Sequence, residues 1–273
     1  MPAPGPTTGP RDPCEHCPVG LPGAAFPEQG WGEGGGGIID AMKALTLNAW
    51  GAYGPAERRP VLREAILQAD ADLLLLQEAN IPENFLESLP YPARFHFPEA
   101  GLAILSRFPA REEKRLTYQT ASPLEPHLTR GLLLARLDVD GKPLWAGTTH
   151  LAWKAEDGAT RLAQAEELVK ATAGLPGPVL IGGDFNAPPE DPPARRMISG
   201  GFSDLHAGGG ITWDNQNPFI QSHSVRFPDR RIDYLFLRGE FPAGRCEVAC
   251  REPGTGGLHP SDHYGVLAFF HQR

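Results

Sequence analysis

The sequence predicts an α/β domain built in layers around a mixed or antiparallel β-sheet. From residue 42 onward, short apolar runs rich in Leu, Val and Ile alternate with turn-forming clusters, which is typical of strands. Two segments have helical periodicity, and each runs into an apolar strand, as a layered α/β domain requires. With 273 residues, of which 41% are hydrophobic, the chain is long enough for one large domain or two small ones.

Eight segments are predicted as β-strands because each is a short, mostly aliphatic run bounded by turn residues. In chain order they are 43–48, 73–77, 101–106, 131–138, 143–150, 178–183, 232–237 and 265–270. No internal repeat and no linker divides residues 42–273, so we expect one domain over that range.

Two helices are predicted from apolar residues that recur on one face. The first covers about 56–69 and has an apolar face of Val61, Leu62, Ala65, Ile66 and Ala69. The second covers about 158–173 and has an apolar face of Leu162, Ala165, Leu168 and Val169. The interval 186–231 is rich in Pro, Gly, Asn and Ser, and we expect long loops there.

Residues 1–41 have the composition of a disordered segment. They hold 18 Gly and Pro residues and show no apolar periodicity, so they cannot bury enough apolar surface to offset their ordering entropy. We expect a dispensable tail, with Met42 as a candidate functional start. The segment lacks the features of a secretory signal, which predicts a cytoplasmic protein.

Charge and cysteine content narrow the function classes. The net charge of −8 argues against nonspecific binding of duplex DNA but does not exclude nucleic acid as a substrate. The longest stretches free of charged residues are 13 residues, too short to span a membrane. The pairs Cys14/Cys17 and Cys246/Cys250 are compatible with a zinc site or with reduced thiols that share no role, and the chain context favours the thiols.

Polar side chains recur at the ends of the predicted strands. Four strands end in such residues, namely Asn48, Gln77-Glu78, His150 and Asp184-Phe-Asn186. Asp233 lies at the start of a fifth strand, and Ser261-Asp262-His263 precedes a sixth. In a mixed or antiparallel sheet the start of one strand lies beside the end of its neighbour, so all six motifs can gather at one edge.

The residue types at this edge indicate metal-assisted chemistry on phosphate. Carboxylates and carboxamides suit a hard cation such as Mg²⁺ or Mn²⁺, which prefers oxygen ligands. Imidazoles beside them suit general acid chemistry or hydrogen bonding to a phosphoryl oxygen. Together these groups predict hydrolysis of a phosphoester.

The motifs, in their order along the chain, resemble the endonuclease/exonuclease/phosphatase superfamily, which includes DNase I, the AP endonucleases and the neutral sphingomyelinases. The matching segments span about 45–270 and are Leu45–Gly51, Asp72–Glu78, Gly101–Arg107, Thr149-His150, Gly182–Asn186, Arg231–Tyr234 and Ser261–His263. The resemblance implies a four-layered α/β sandwich, in which two packed mixed β-sheets are flanked by helices and the site lies at one edge.

The resemblance also implies a metal site and a set of catalytic residues. Glu78 would be the principal metal ligand, with Asn48 nearby contacting metal or phosphate, and Asp262 would lie close to the metal. The implied catalytic residues are Asp184 for deprotonating water, Asn186 for holding the phosphate or water, His263 for stabilising the transition state, Asp233 for orienting His263, and His150. Of these, His150 matches the second histidine of the DNase I and sphingomyelinase branches, which makes AP-site repair a less favoured activity.

Substrate-binding residues are expected nearby. Arg130 lies in a segment that resembles the sphingomyelinase-like branch, Arg231 adjoins Asp233, and Trp213 and Asn217 belong to a loop that resembles one beside the family's active site. Two basic clusters are candidates for binding flanking phosphates, with a solvated surface as the alternative: Arg107, Arg111, Lys114 and Arg115, and Arg226, Arg230 and Arg231.

The sequence leaves the substrate open. A phosphodiester or a phosphomonoester fits, and the phosphate can belong to a small molecule, a lipid headgroup or a nucleic acid. A nuclease is the alternative enzyme, and a noncatalytic binding member of the fold is the alternative outside enzymes, although Glu78, Asp184 and His263 are all present. We expect a monomer.

Overall fold

The structure is a computed structural model that describes residues 40–271. The predicted tail and the pair Cys14/Cys17 therefore lie outside the described residues, except that the first strand already begins at Asp40. Cys246 and Cys250 are both free.

The described residues form twelve β-strands and four α-helices. The strands are β1 Asp40–Asn48, β2 Leu73–Gln77, β3 Ala93–Phe97, β4 Leu102–Ser106, β5 Ala110–Thr117, β6 Gly131–Val139, β7 Lys142–His150, β8 Val179–Asp184, β9 Ser203–Asp204, β10 Asp233–Arg238, β11 Ala243–Ala249 and β12 Gly265–His271. The helices are α1 Arg58–Ala69, α2 Gly158–Thr172, α3 Pro192–Ser199 and α4 Pro218–Gln221. Short 3-10 turns cover Leu86–Ser88, Pro98–Ala100, Ala155–Asp157 and Thr255–Gly257.

The strands form two six-stranded mixed sheets. One has the order β11-β12-β1-β2-β4-β3 and the other has the order β5-β6-β7-β8-β10-β9. Strands β1 and β2 are parallel, as are β7 and β8, and the other pairs are antiparallel. All eight predicted strands are present, and the four that were not predicted are the outermost strands of the two sheets.

Alternation along the central strands builds the core between the sheets. Leu73 and Leu75 of β2 point into the apolar layer shared by both sheets, whereas Leu74 and Leu76 point outward to α1. Helix α1 covers this outer face with Leu62 and Ile66, both fully buried. Burial of each such side chain stabilises the fold by about 1.5–3 kcal/mol.

Helices α2 and α3 cover the outer face of the second sheet. Leu168 of α2 and Met197 of α3 are fully buried against it, which completes four layers and confirms the predicted sandwich. Long loops were expected over 186–231, but α3, the two-residue strand β9 and α4 also form there. Both helices begin with proline, which is compatible with the first turn of a helix because that turn does not need the missing N–H.

The two sheets approach closely where β8 faces β1 and β2. A Cβ atom on Gly182 would lie 2.8 Å from both the Leu75 Cδ1 and the Thr46 Cβ atoms, so only glycine fits there without a shift. No helix among residues 40–271 has the length and apolar character needed to cross a bilayer.

Candidate active site

Strand register brings three of the predicted catalytic residues into one row. His150 at the end of β7 pairs with Asp184 at the end of β8, and Asp184 pairs with Asp233 at the start of β10. Parallel β7 and β8 end at the same edge, and antiparallel β10 begins there, so the three side chains are neighbours. All three are buried.

His263 lies between two carboxylates of this row. Its Nδ1 is 3.0 Å from Oδ2 of Asp233, and its Nε2 is 3.6 Å from Oδ2 of Asp184. Burial alone would lower the pKa of His263, but the charges of Asp233 and Asp184 raise it to about 10. The imidazole is therefore held as a cation at neutral pH.

Asp184 is held as an anion by its neighbours. Burial alone would raise the pKa of this carboxyl group, but the charge of His263 and two hydrogen bonds lower it below its ordinary value. The donors are Nδ2 of Asn48 at 3.0 Å and the backbone N–H of Asn186 at 2.9 Å. An ionised carboxylate beside a protonated imidazole can accept a proton from a bound water.

Glu78 and Asp262 form the part of the site that suits a cation. Burial, and then the charge of Asp262, raise the pKa of Glu78 to about 7, because two carboxylates in one buried place repel each other. A divalent cation relieves that repulsion and accepts carboxylate oxygens as ligands. Asp262 is placed by Ser261, whose hydroxyl donates to the backbone oxygen of Asn48 at 2.7 Å.

A second group of possible ligands suits a metal less well. Within the described residues, one ligand atom each from Asp184, Asp233 and His263 lie within 4.8 Å of one another. The carboxylates on either side of His263 raise its pKa, and a protonated imidazole has no lone pair to offer a metal. Glu78 and Asp262 therefore stay the predicted ligands of the metal.

Asn48 holds the carboxylates through its amide nitrogen. Its Nδ2 donates to Glu78 at 3.3 Å as well as to Asp184, and its Oδ1 accepts the backbone N–H of Trp50 at 3.0 Å. Asn48 is thus a hydrogen-bond donor to two of the acids, and its predicted contact with the metal or phosphate stays a prediction.

His150 is uncharged at this site. Burial, and then the charge of Arg130, lower its pKa to about 3. Its Nε2 accepts from Nδ2 of Asn186 at 3.2 Å and lies 3.4 Å from Oδ2 of Asp184. The Asn186 amide also donates to the backbone oxygen of Leu151 at 3.2 Å, which fixes its orientation.

These residues lie at the bottom of a cleft of about 780 Å³. Loops that follow strands of both sheets line it, and aromatic side chains from Trp50, Tyr53, Trp153, Trp213 and Phe227 contribute to its walls. Exposed apolar side chains stand at its mouth, namely Tyr53, Leu128 and Val225.

The endonuclease/exonuclease/phosphatase family model matches residues 45–263, which is most of the chain and includes His150, Asp184, Asp233 and His263. The chain belongs to this family. Membership confirms the predicted reaction class: the chain is a metal-dependent hydrolase of phosphoric esters. A search of curated protein sequences gave no significant match.

Solved structures with this fold include family members of different kinds. TDP2 from D. rerio, complexed with a single-strand DNA product, is 20% identical, and the match covers 85% of this chain and 99% of that one with a TM-score of 0.70. A truncated C. elegans TDP2 is 19% identical, with coverage of 85% and 98% and a TM-score of 0.66. A double mutant of Staphylococcus aureus beta toxin with bound magnesium ions is 18% identical, with coverage of 85% and 100% and a TM-score of 0.73.

Three non-glycine residues that line the cleft have a left-handed backbone. They are Trp50, Glu78 and Asn186, with φ values of 56°, 48° and 49°. Each follows a strand and turns the chain away from the sheet. Such positions cost roughly 1–2 kcal/mol per residue and cluster at functional sites.

Arg58 supports the site from below and was not singled out by the sequence analysis. Its fully buried guanidinium donates hydrogen bonds to five backbone oxygens, those of Ala49, Trp50, Gly51, Tyr53 and Pro260. It therefore ties the loop after β1 to the segment before Asp262. In the sequence it is one of two adjacent arginines at the start of α1, with no sign that it is buried.

Two predicted substrate-binding residues are tied to other protein groups. Arg231 donates to Asp204 at 2.7 Å and lines a separate cavity of about 490 Å³. Asn217 is fully buried, accepts the backbone N–H of Phe219 at the start of α4 and donates to the backbone oxygen of Ser261. Neither residue is among those that line the cleft, and the Nη2 atom of Arg231 and the amide of Asn217 are engaged elsewhere, so their contact with substrate stays a prediction.

The other two predicted substrate-binding residues line the cleft. The Trp213 ring meets the His263 ring edge-on, with centroids 5.0 Å apart. Arg130 pairs with the buried carboxylate of Glu125 at 3.0 Å, and Glu125 also accepts the backbone N–H of Trp153 at 2.8 Å. This pair joins the segment before β6 to the loop that follows His150.

Proposed function

We propose that the chain is a Mg²⁺-dependent phosphodiesterase in which Asp184 activates the attacking water and His263 stabilises the phosphoryl group. The observation that carries this proposal is the arrangement of His263 between Asp233 and Asp184. It pairs a proton acceptor with a proton-bearing cation at the bottom of one cleft.

Asp184 has the charge and position of a general base. Its Oδ2 atom faces His263, His150 and Asn48, and its Oδ1 atom accepts the backbone N–H of Asn186. A water hydrogen-bonded to this carboxylate would lose a proton to it as the water oxygen attacks phosphorus. Asn186 and neutral His150 would orient that water or a phosphoryl oxygen.

His263 supplies positive charge where negative charge develops. Asp233 holds its Nδ1, so the Nε2–H points toward Asp184 and the cleft. A hydrogen bond from this imidazolium to a phosphoryl oxygen strengthens as charge accumulates on that oxygen, which lowers the barrier.

Glu78 and Asp262 would hold the metal ion. When bound, Mg²⁺ supplies Lewis-acid polarisation of the phosphoryl group and offsets its negative charge. The raised pKa of Glu78 supports this assignment, since a nearby cation favours the ionised carboxylate. The magnesium ions in the beta toxin structure support the choice of metal.

Charge pairing favours a short substrate over a long nucleic acid. All four residues of the first basic cluster are paired with carboxylates: Arg107 with Asp70 and Asp72, Arg111 with Asp138, Lys114 with Glu112, and Arg115 with Glu113. Little basic surface is left there to bind a phosphate backbone. The cleft volume of about 780 Å³ suits groups on both sides of the phosphorus, as a diester has.

Single-stranded DNA is the second candidate substrate. Its support is the D. rerio TDP2 structure, which contains a single-strand DNA product. Aromatic side chains along the cleft offer faces on which bases can stack. A DNA substrate would engage several phosphates, so its hydrolysis would weaken steeply as salt concentration rises.

The test is hydrolysis of bis-p-nitrophenyl phosphate and p-nitrophenyl phosphate with Mg²⁺, Mn²⁺ or EDTA. We expect metal-dependent cleavage with preference for the diester, and a loss of about 10²–10⁴ in kcat for Asp184→Asn. Asp138→Asn is the matched control, because Asp138 lies at the end of β6 that is away from the site. Preference for the monoester would exclude a diesterase, and equal rates for both variants would contradict the role of Asp184.

A further inference from the structure

Arg230 lines the cleft with a guanidinium group that has no partner. This guanidinium makes no hydrogen bond or ion pair with any residue in the described range 40–271, and its Nε atom is buried without an acceptor. An arginine with open donors beside a phosphoryl-transfer site is suited to an anion.

Other arginines near the site are already engaged. Arg130 is paired with Glu125, Arg231 with Asp204, and Arg58 is saturated by backbone oxygens. Arg226, in the loop before Arg230, donates to the backbone oxygens of Ile220 and Gln221. Arg230 differs from these four because none of its guanidinium donors has a hydrogen-bond partner among residues 40–271.

Aromatic rings hold the Arg230 guanidinium in position. Its Cζ atom lies 3.9 Å from the centroid of the Phe227 ring and 5.8 Å from that of Trp213. Stacking of this kind fixes the plane of the group without using its N–H donors. Because Trp213 also contacts His263, the guanidinium lies one ring away from the catalytic imidazole.

Arg230 lies nearer the mouth of the cleft than the catalytic residues do. It is half-buried, whereas Asp184 and His263 are 1% and 3% exposed. Burial lowers the pKa of Arg230 and the charge of Asp184 opposes this effect, which is consistent with a position next to the reacting centre. Asp233 and Asp191 also raise its pKa, and Arg161 lowers it.

We propose that Arg230 binds a second anionic group of the substrate, beside the phosphate that is cleaved, and thereby determines specificity. The preferred substrates are then phosphoesters that carry a further phosphate or carboxylate within a few bonds of the reacting phosphorus. This inference rests on the proposed function for the identity of the reaction, but the binding of the second anion is measurable without turnover.

The test compares two probes that differ by one phosphate, thymidine 5′-phosphate and thymidine 3′,5′-bisphosphate. Isothermal titration calorimetry in EDTA gives their dissociation constants for the wild-type protein and for Arg230→Gln. We expect the wild type to bind the bisphosphate about ten- to hundredfold more tightly than the monophosphate, as a charged hydrogen bond allows, and Arg230→Gln to lose that preference. Arg195→Gln, at an exposed position on α3 outside the cleft, should keep it.

Arg230→Lys separates charge from geometry and should restore part of the preference, since lysine keeps the charge but not the planar fork. Equal affinity of the wild type for the two probes, no binding of either probe, or an unchanged preference in Arg230→Gln would overturn the proposal. A loss of 10² or more in kcat on bis-p-nitrophenyl phosphate for Arg230→Gln would also overturn it, because Arg230 would then act on the cleaved phosphate. Failure of the wild type to hydrolyse that compound would count against the proposed function alone.

Discussion

Replacing Asp233 with asparagine should convert His263 from a permanent cation into a group that titrates near neutrality. The Oδ2 atom of Asp233 lies 3.0 Å from Nδ1 of His263, and its charge is the largest of the effects that raise the pKa of His263 to about 10. Asn keeps the shape and an oxygen that accepts the Nδ1–H, so Asp233→Asn removes the charge and leaves the ring oriented. We expect the pKa of His263 to fall towards its ordinary value of 6.5.

The size of the effect follows from the protonated fraction of His263. With a pKa of about 10 the ring is almost fully protonated at both pH 6 and pH 8. With a pKa near 6.5, about three quarters is protonated at pH 6 and roughly 3% at pH 8. The activity of Asp233→Asn relative to wild type should therefore rise about 25-fold between pH 8 and pH 6.

The assay is kcat/KM for bis-p-nitrophenyl phosphate at saturating Mg²⁺ across this pH range, for wild type, Asp233→Asn and the control Asp138→Asn. Taking the ratio to wild type cancels groups that titrate in both proteins, Glu78 included. A chemical-shift titration of the histidine ring protons locates the pKa of His263 directly. A ratio that stays constant with pH, together with a variant that is strongly impaired, would refute the role of His263 as an imidazolium.

Three further results are expected. The pKa of Glu78 is raised to about 7 in the metal-free site, so protons compete with Mg²⁺ for this carboxylate below that pH. The Mg²⁺ affinity measured by calorimetry should therefore weaken about tenfold from pH 8 to pH 6. An unchanged affinity would argue against Glu78 as a ligand. Arg58→Met should lower the free energy of unfolding by about 3 kcal/mol or more in urea, since it leaves five buried carbonyls without their donor; a loss under 1 kcal/mol would contradict that reasoning. Gly182→Ala should cost about 1–3 kcal/mol in the same assay, because its Cβ would lie 2.8 Å from atoms of the facing sheet. Gly174→Ala, where a Cβ meets nothing within 4 Å, should be near neutral.

The central strands could be predicted from the sequence because strands buried on both faces consist almost entirely of apolar residues. Strand β2 is Leu73–Gln77 with every residue buried, so it reads as a continuous apolar run. Strand β5, Ala110–Thr117, is almost entirely exposed, and β11, Ala243–Ala249, carries charged residues. An outermost strand needs only backbone partners on one side, so its sequence can be polar and carries little strand signal.

The candidate site was predictable to the extent that its residues end or begin buried strands. Glu78, Asp184 and Asp233 hold those positions, and the structure brings them to one edge. The positions of the arginine side chains were harder to predict, because a guanidinium on a long side chain can turn to either side of the backbone. Arg230 and Arg231 are adjacent, but one faces the cleft and the other pairs with Asp204.

The buried ion pair of Arg130 and Glu125 left no sequence signal. Glu125 lies next to Pro126 in the loop before β6, where a carboxylate is usually solvated. The structure buries it almost completely because it accepts backbone N–H groups from the loop after β7 in addition to pairing with Arg130. Contacts between segments that are distant in the chain are not encoded in local composition.

The left-handed backbone at Glu78 and Asn186 implies a trade-off between the stability of the fold and the proposed activity. Glycine at either position would relieve roughly 1 kcal/mol of backbone strain, and in the same step would remove a functional side chain. A lineage released from selection for hydrolysis would thus be drawn towards glycine at these positions, and its members would melt at higher temperature. Glu78 and Asn186 are therefore positions at which glycine should stabilise the fold and impair the proposed hydrolysis.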